Sequence, residues 1–234
     1  MDNSWIEKVL GEQYQLVKVL KNTDKTKIFV LRHKELGREL VKRSVEGSGE
    51  VYSVLRTLSH PNISNVYEVF KSETGVTVLE EYIDGQTVAE YLKDNLYTPS
   101  GVKSIIGSLC DALDFLHSNK IIHKDIKPEN VMIDNSGTVR LIDFDAARIY
   151  KPYQSEDTKI LGTTGFAAPE QYGLNQTDER TDIYALGVLM NVMLTGEPPE
   201  RKLYNGKLRK VIVKCTQSIP DNRYQSAKEL KRNL

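Results

Sequence analysis

The sequence predicts an α+β fold in two parts: a small β-sheet with one helix over residues 1–82, and a mainly helical part over residues 83–234. Three observations predict it. Short runs rich in β-branched and aromatic residues crowd the first third of the chain, apolar residues at helical spacing dominate after Thr87, and Gly85 stands where one pattern gives way to the other. The early β-runs are YQLVKVL, KIFVLRH, RELVKR and VTVLEEY, with one helical stretch from Ser48 to Leu58 among them. Two helical segments follow, VAEYLKDNL and SGVKSIIGSLCDALDFLHS. The second repeats Val102, Ile105, Ile106, Leu109, Ala112, Leu113 and Leu116 on one face. VMID and VRLID, joined by Asn135, Ser136 and Gly137, predict a hairpin. A helix over Arg180 to Leu194 stops at Gly196, with Pro198 and Pro199 beyond it, and a last one runs near Ala227 to Leu234.

Composition bounds the function. A chain of 234 residues with 39% hydrophobic content buries a substantial core, and its 32 basic residues cancel 32 acidic ones. No global field therefore favours nucleic acid or a membrane surface. The two cysteines, Cys110 and Cys215, lie in apolar surroundings without metal-ligand spacing, which predicts reduced core thiols. No apolar run reaches the roughly 18 residues that a membrane span needs, so the chain is expected to be soluble and cytoplasmic.

The densest chemistry lies in IIHKDIKPENVMI, residues 121–133. His123, Asp125, Lys127, Pro128, Glu129 and Asn130 follow the pattern H-x-D-x-K-P-E-N, and Asp143 follows thirteen positions after Asn130. Six specified positions match by chance about once in 10⁸ starting points. The segment resembles the catalytic loop of the eukaryotic-type (Hanks-type) serine/threonine protein kinases, and LIDFDAAR at 141–148 resembles their metal-binding D-F-G segment. The resemblance runs from Tyr14 to Leu230. It implies a bilobal protein-kinase-like fold, with an antiparallel β-sheet N-lobe plus one helix and a helical C-lobe.

Such residues suit phosphoryl transfer, in which a protein positions a hydroxyl and offsets charge more than it makes bonds. The resemblance assigns Asp125 and Lys127 to catalysis, the first orienting the hydroxyl or taking its proton, the second offsetting phosphoryl charge. It assigns Asn130 and Asp143 to Mg2+, a cation that prefers hard oxygen ligands. Lys42 in RELVKR falls where the family keeps the strand lysine that clamps the ATP phosphates, and Glu50 is the acid nearest the position that pairs with that lysine. The Glu81 carbonyl and the Ile83 amide would hold the purine, with Glu80 behind them. Thr163 in GTTGFAAPE is expected beside Asp125 and Lys127, and Arg223 is expected to pair with Glu170. The cofactors implied are ATP and Mg2+, and the partner is a protein substrate bearing Ser or Thr.

The match departs from the family at defined places. Lys21, Thr23 and Thr26 stand where a glycine-rich loop would carry its glycines, leaving Lys21, Lys25 or Lys27 as alternative phosphate contacts or the loop as an ordinary hairpin. Counting back from HPNI, the lysine-pairing position falls on Val51, and the step to Glu50 turns a helix by about 100°; Glu46 is the fallback. Lys124 replaces an arginine and Asp145 replaces the glycine of D-F-G. Ser155, Thr158, Thr163 and Thr164 are candidates for self-modification. A serine/threonine protein kinase is the expected function. The alternatives are a pseudokinase acting as a nucleotide-binding scaffold or switch, and a small-molecule kinase on the same fold, which the G-T-x-x-F-x-A-P-E segment disfavours.

Overall fold

The computed structural model describes residues 4–24, 26–72, 75–151, 163, 165–173 and 177–234. Lys25, Ser155, Thr158 and Thr164, singled out above, lie outside the described residues. The chain divides into two compact units, one of residues Met1–His60 and Ser64–Asp84, the other of Pro61–Ile63 and Gly85–Leu234.

The first unit is an antiparallel sheet with two helices. Its strands are β1 (Tyr14–Asn22), β2 (Thr26–His33), β3 (Glu39–Val45), β4 (Val66–Lys71) and β5 (Val76–Glu81), in the order β1-β2-β3-β5-β4. The four expected runs form β1, β2, β3 and β5. The expected pattern omitted β4, because VYEVFK reads as part of the turn-rich stretch before β5 until the two strands pair as a hairpin. It also omitted helix α1 (Ser4–Gln13), whose Ile6 and Leu10, one turn apart, are buried against Leu31 and Leu40, with Tyr14, Phe29, Phe70 and Leu79 packed around them. Trp5 meets Phe70 edge-on at 5.9 Å.

Helix α2 (Glu50–Leu55) is shorter than the expected Ser48–Leu58. Gly49 at its start has φ 60° and makes no side-chain cap, and a Cβ there would come within 2.8 Å of Val76 Cγ2, so only glycine fits. The β1–β2 turn closes on itself: the Thr23 amide and hydroxyl both donate to the Thr26 carbonyl, and the Thr26 amide donates to Thr23 Oγ1. That turn is an ordinary hairpin. The Thr23 N–H, which a phosphate cradle would need, is spent inside it.

The second unit is mainly helical. Helix α3 (Val88–Leu92) starts with a capping box between Thr87 and Glu90, and α4 (Pro99–Ser118) with Thr98 accepting from the Gly101 amide and Pro99 in the first turn. Every residue of the predicted apolar face, Val102 through Leu116, is buried. The later helices are α5 (Glu179–Thr195), ended by Gly196 at φ 76°, α6 (Arg209–Cys215) and α7 (Ala227–Lys231). Strands β6 (Gly85–Thr87), β8 (Val131–Asp134) and β9 (Val139–Leu141) form one small sheet, and β7 (Ile121–Ile122) pairs with β10 (Arg148–Ile149). Pro61–Ile63 belong here because Asn62 bonds to both strand ends: its carbonyl accepts from the Leu141 amide at 2.8 Å and its Nδ2 donates to the Val139 carbonyl at 2.8 Å. Among the described residues no helix is long and apolar enough to cross a membrane.

Candidate active site

The segment 123–130 lies between β7 and β8, and its shape follows from one buried acid. Asp182, fully buried on α5, accepts from the His123 amide at 2.9 Å, the Lys124 amide at 2.8 Å and the His117 ring at 2.8 Å. Burial works against its charge, but the His117 hydrogen bond and the histidines around it prevail and hold its pKa below the carboxylate range. Lys124 takes φ 68°, a left-handed conformation sustained by those two amide bonds. His123 donates or accepts at the Ile142 carbonyl, 3.3 Å away, and its ring meets Phe144 edge-on at 5.0 Å.

Asp125 sits at the centre of the cluster. Thr163 Oγ1 donates to its Oδ1 at 2.6 Å, Lys127 Nζ lies 2.7 Å from its Oδ2, and Asn130 Nδ2 donates to the same oxygen at 3.0 Å. Lys127 also donates to Thr163 Oγ1 at 2.8 Å, closing a triangle of three side chains. Burial pushes the Asp125 pKa up, yet the bonds from Lys127 and Thr163 outweigh it and bring it below the ordinary aspartate value. Asp125 is therefore ionised at neutral pH.

Hairpin pairing brings the two expected metal ligands together. Val131 pairs with Leu141, and the Ile142 amide donates to the Asn130 carbonyl at 3.0 Å, so Asn130 and Asp143 flank the same rung. Asn130 commits its Nδ2 to the Asp125 carbonyl at 2.8 Å and to the Asp125 carboxylate, which leaves the oxygen as the amide's outward end. Asp143 adopts φ 65°. An amide oxygen and a carboxylate are a hard donor pair. They fit Mg2+, which completes its shell with water and substrate phosphate and needs no cage of protein ligands.

The segment after Thr163 is fastened to this loop. Gln171 Nε2 donates to the Lys124 carbonyl at 3.0 Å and its Oε1 accepts from the Ala168 amide at 2.9 Å. Glu170 meets Arg223 as a bidentate pair, with Nη1 and Nη2 at 2.7 and 2.8 Å from its two oxygens. Arg223 is buried and also donates to the carbonyls of Arg180, Gln217 and Ser218. The expected placements of Thr163 and of the Arg223–Glu170 pair are thus what the structure holds.

The first unit departs from expectation. Lys42 is buried on the sheet face that α1 covers, and it pairs with Glu7 of α1 rather than with Glu50. The reason is strand alternation: Lys42 stands opposite Phe29 and Leu79, whose side chains pack with α1, whereas α2 begins at Gly49 against Val76, on the other face. Glu50 and Lys42 are therefore on opposite sides of the sheet. Glu81 ends β5, its carboxylate holding the Asn65 amide and side chain at 3.1 and 2.8 Å, and Ile83 lies just past the ladder. Glu80 is buried and pairs with Arg43 at 2.8 Å. Sequence reasoning missed Glu7 and Arg43. The Ile6/Leu10 spacing could have exposed the first, and the parity of β3 the second.

Residues 6–234 match the protein kinase domain family. The chain belongs to that family. Among relatives of this protein kinase domain, the serine/threonine-protein kinase PknB of Mycobacterium leprae is 28% identical, over 96% of this chain and 43% of its own length. A probable serine/threonine-protein kinase of Clostridium perfringens is also 28% identical, over 96% of the chain and 38% of its own. The serine/threonine-protein kinase PrkC of Bacillus subtilis is 24% identical, over 98% and 41%. The kinase domain described here thus spans about two fifths of the length of the curated relatives it matches.

Proposed function

We propose that the chain transfers the γ-phosphate of ATP, with Mg2+, to a serine or threonine hydroxyl of a protein substrate. The observation that carries this is the closed cluster of Asp125, Lys127 and Thr163, with Asn130 tied to Asp125 and set beside Asp143. An aspartate with a lowered pKa is a weak base. Its work is to align the substrate hydroxyl and take the proton as the new P–O bond forms and the bond to ADP breaks, when the hydroxyl has become acidic. Lys127 places a positive charge beside the same carboxylate, where phosphoryl oxygens gather charge. Asn130 Oδ1 and the Asp143 carboxylate would hold Mg2+, which when bound neutralises charge on the phosphates. The Glu81 carbonyl and the Ile83 amide would take the purine. The names of the relatives support Ser/Thr as acceptor, and Thr163 seated on Asp125 is consistent with that choice.

The balanced charge supports a protein partner and no nucleic acid. Burial pushes the Cys110 thiol up to about 12 and the Cys215 thiol well above its usual value, so both are inert buried thiols, consistent with the cytoplasm.

A second reading, a pseudokinase that binds nucleotide as a scaffold or switch, is favoured by the self-closed Thr23 turn and by Lys42 facing α1. Incubation with [γ-32P]ATP, magnesium and casein, followed by phosphoamino-acid analysis, separates the two. The proposal expects labelled phosphoserine or phosphothreonine. Binding of Mg·ATP with no label on either protein favours the scaffold.

A further inference from the structure

The five-stranded sheet of the first unit has two unlike faces. Leu40 and Lys42 of β3 stand opposite Leu31 and Phe29 of β2, and opposite Glu81 and Leu79 of β5. This face is sealed by α1, and Lys42 meets Glu7 there. Val41 and Arg43 stand opposite Val30 and Ile28, and opposite Glu80 and Val78, on the other face. At one end of that second face, Gly49 before α2 lies against Val76. At the other end a cavity of about 800 Å3 opens among Val30, Arg32, Glu39, Tyr82 and Asp84, beside Glu81 and Ile83 in sequence. Arg43 stands between these ends, its Nε donating to Glu80 Oε1 at 2.8 Å, with both side chains 5% exposed.

We infer that Arg43, and not Lys42, is the cation this unit offers to the phosphates of a nucleoside triphosphate, and that Glu80 is the carboxylate that fixes its guanidinium. The inference rests on the kinase function proposed above and specifies one of its binding residues. A ligand reaching Lys42 would have to displace α1 and its packed Ile6 and Leu10, whereas the Arg43 face carries the cavity. A guanidinium presents five N–H donors in a rigid plane, enough to engage a carboxylate and a phosphate together, and it keeps its charge at every physiological pH. An ammonium is a point charge that one carboxylate neutralises. Arg43 and Glu80 also make sense only as a pair, since a buried carboxylate without its partner would be stranded. A multi-donor side chain suits a unit whose β1–β2 turn has spent the Thr23 amide on itself.

Isothermal titration of the whole chain with Mg·ATP, and separately with adenosine, tests this. The proteins are wild type, Lys42→Met, Arg43→Lys and the double variant Arg43→Met with Glu80→Leu, which removes the pair without stranding a charge. The expected result is that Lys42→Met changes the Kd for Mg·ATP by less than about twofold and that the double variant weakens it about tenfold or more. Adenosine affinity should be unchanged in both, because the phosphates alone are lost. Arg43→Lys, which keeps the charge but not the fork, should fall between. Weakening by Lys42→Met with the double variant unaffected overturns the inference while leaving the kinase function standing. Equal loss of ATP and adenosine in the double variant overturns it too, since that marks a structural role. A wild type that binds neither ligand overturns the kinase function and this inference together.

Discussion

Thr163 does for Asp125 and Lys127 what a loop alone does poorly: its one hydroxyl donates to the first and accepts from the second, so the acid and the cation are held at fixed spacing. Thr163→Val keeps the volume and removes both bonds. Turnover is expected to fall about 10²-fold, the scale of a small misplacement, with little change in the KM for ATP; steady-state assays at varied ATP check it. Lys124 offers a pH test. Burial, with the charge of Arg148, brings its pKa down from 10.5 to about 8 against the pull of Asp182. Between those values the unfolded chain keeps the proton that the folded chain has lost, so the stability owed to this group rises with pH from about 8 to 10.5 and is constant below. Lys124→Met removes that slope. Its thermal midpoint relative to wild type is expected to be more favourable near pH 7.5 than near pH 9.5, read by circular dichroism. At this scale the chain was legible where chemistry specifies identity, as in His123 to Asn130, because few substitutes give a hydroxyl aligner, a phosphoryl cation and an amide oxygen at that spacing. It was not legible at Lys42 and Arg43, adjacent cations on opposite faces of one strand, since the covering helix α1 had not been read.

Elements here are held by a few polar fastenings inside apolar packing. The Arg223–Glu170 fork ties the 165–173 segment to the carbonyls of Arg180, Gln217 and Ser218. Arg223→Met leaves Glu170 without its fork, at an expected cost of about 3–5 kcal/mol, which lowers the midpoint by roughly 10 °C in a chain of this size; differential scanning calorimetry measures it. Gly49→Ala forces a Cβ into Val76 at φ 60°, and about 1–2 kcal/mol of lost stability is expected in denaturant titration. The long helices were legible because α4 carries a clean stripe with Thr98 and Pro99 at its start, and α5 a glycine stop. Helix α2 was overestimated: Gly47 and Gly49 take φ 112° and 60°, so they stay outside the helix, and Leu55 closes it early. Strand β4 was missed because its partner, not its composition, makes it a strand.

For the whole molecule, fold class and family followed from the order of the motifs, and the structure adds how each unit is built. The first unit is a sheet with one sealed face and one bearing a cavity, the second a helical body that fixes the catalytic segment through a single buried aspartate. Mg·ATP at about 100 times its Kd is expected to stabilise the chain by about 2.7 kcal/mol, seen as a rise of roughly 5–10 °C in the melting midpoint. The central claim is phosphoryl transfer organised by Asp125, and it is tested most directly by comparing wild type with Asp125→Ala in transfer from [γ-32P]ATP to protein. The account predicts that wild type labels serine or threonine and that the variant loses roughly 10²–10⁴ of the rate while still binding Mg·ATP. Equal labelling by the two proteins would contradict it.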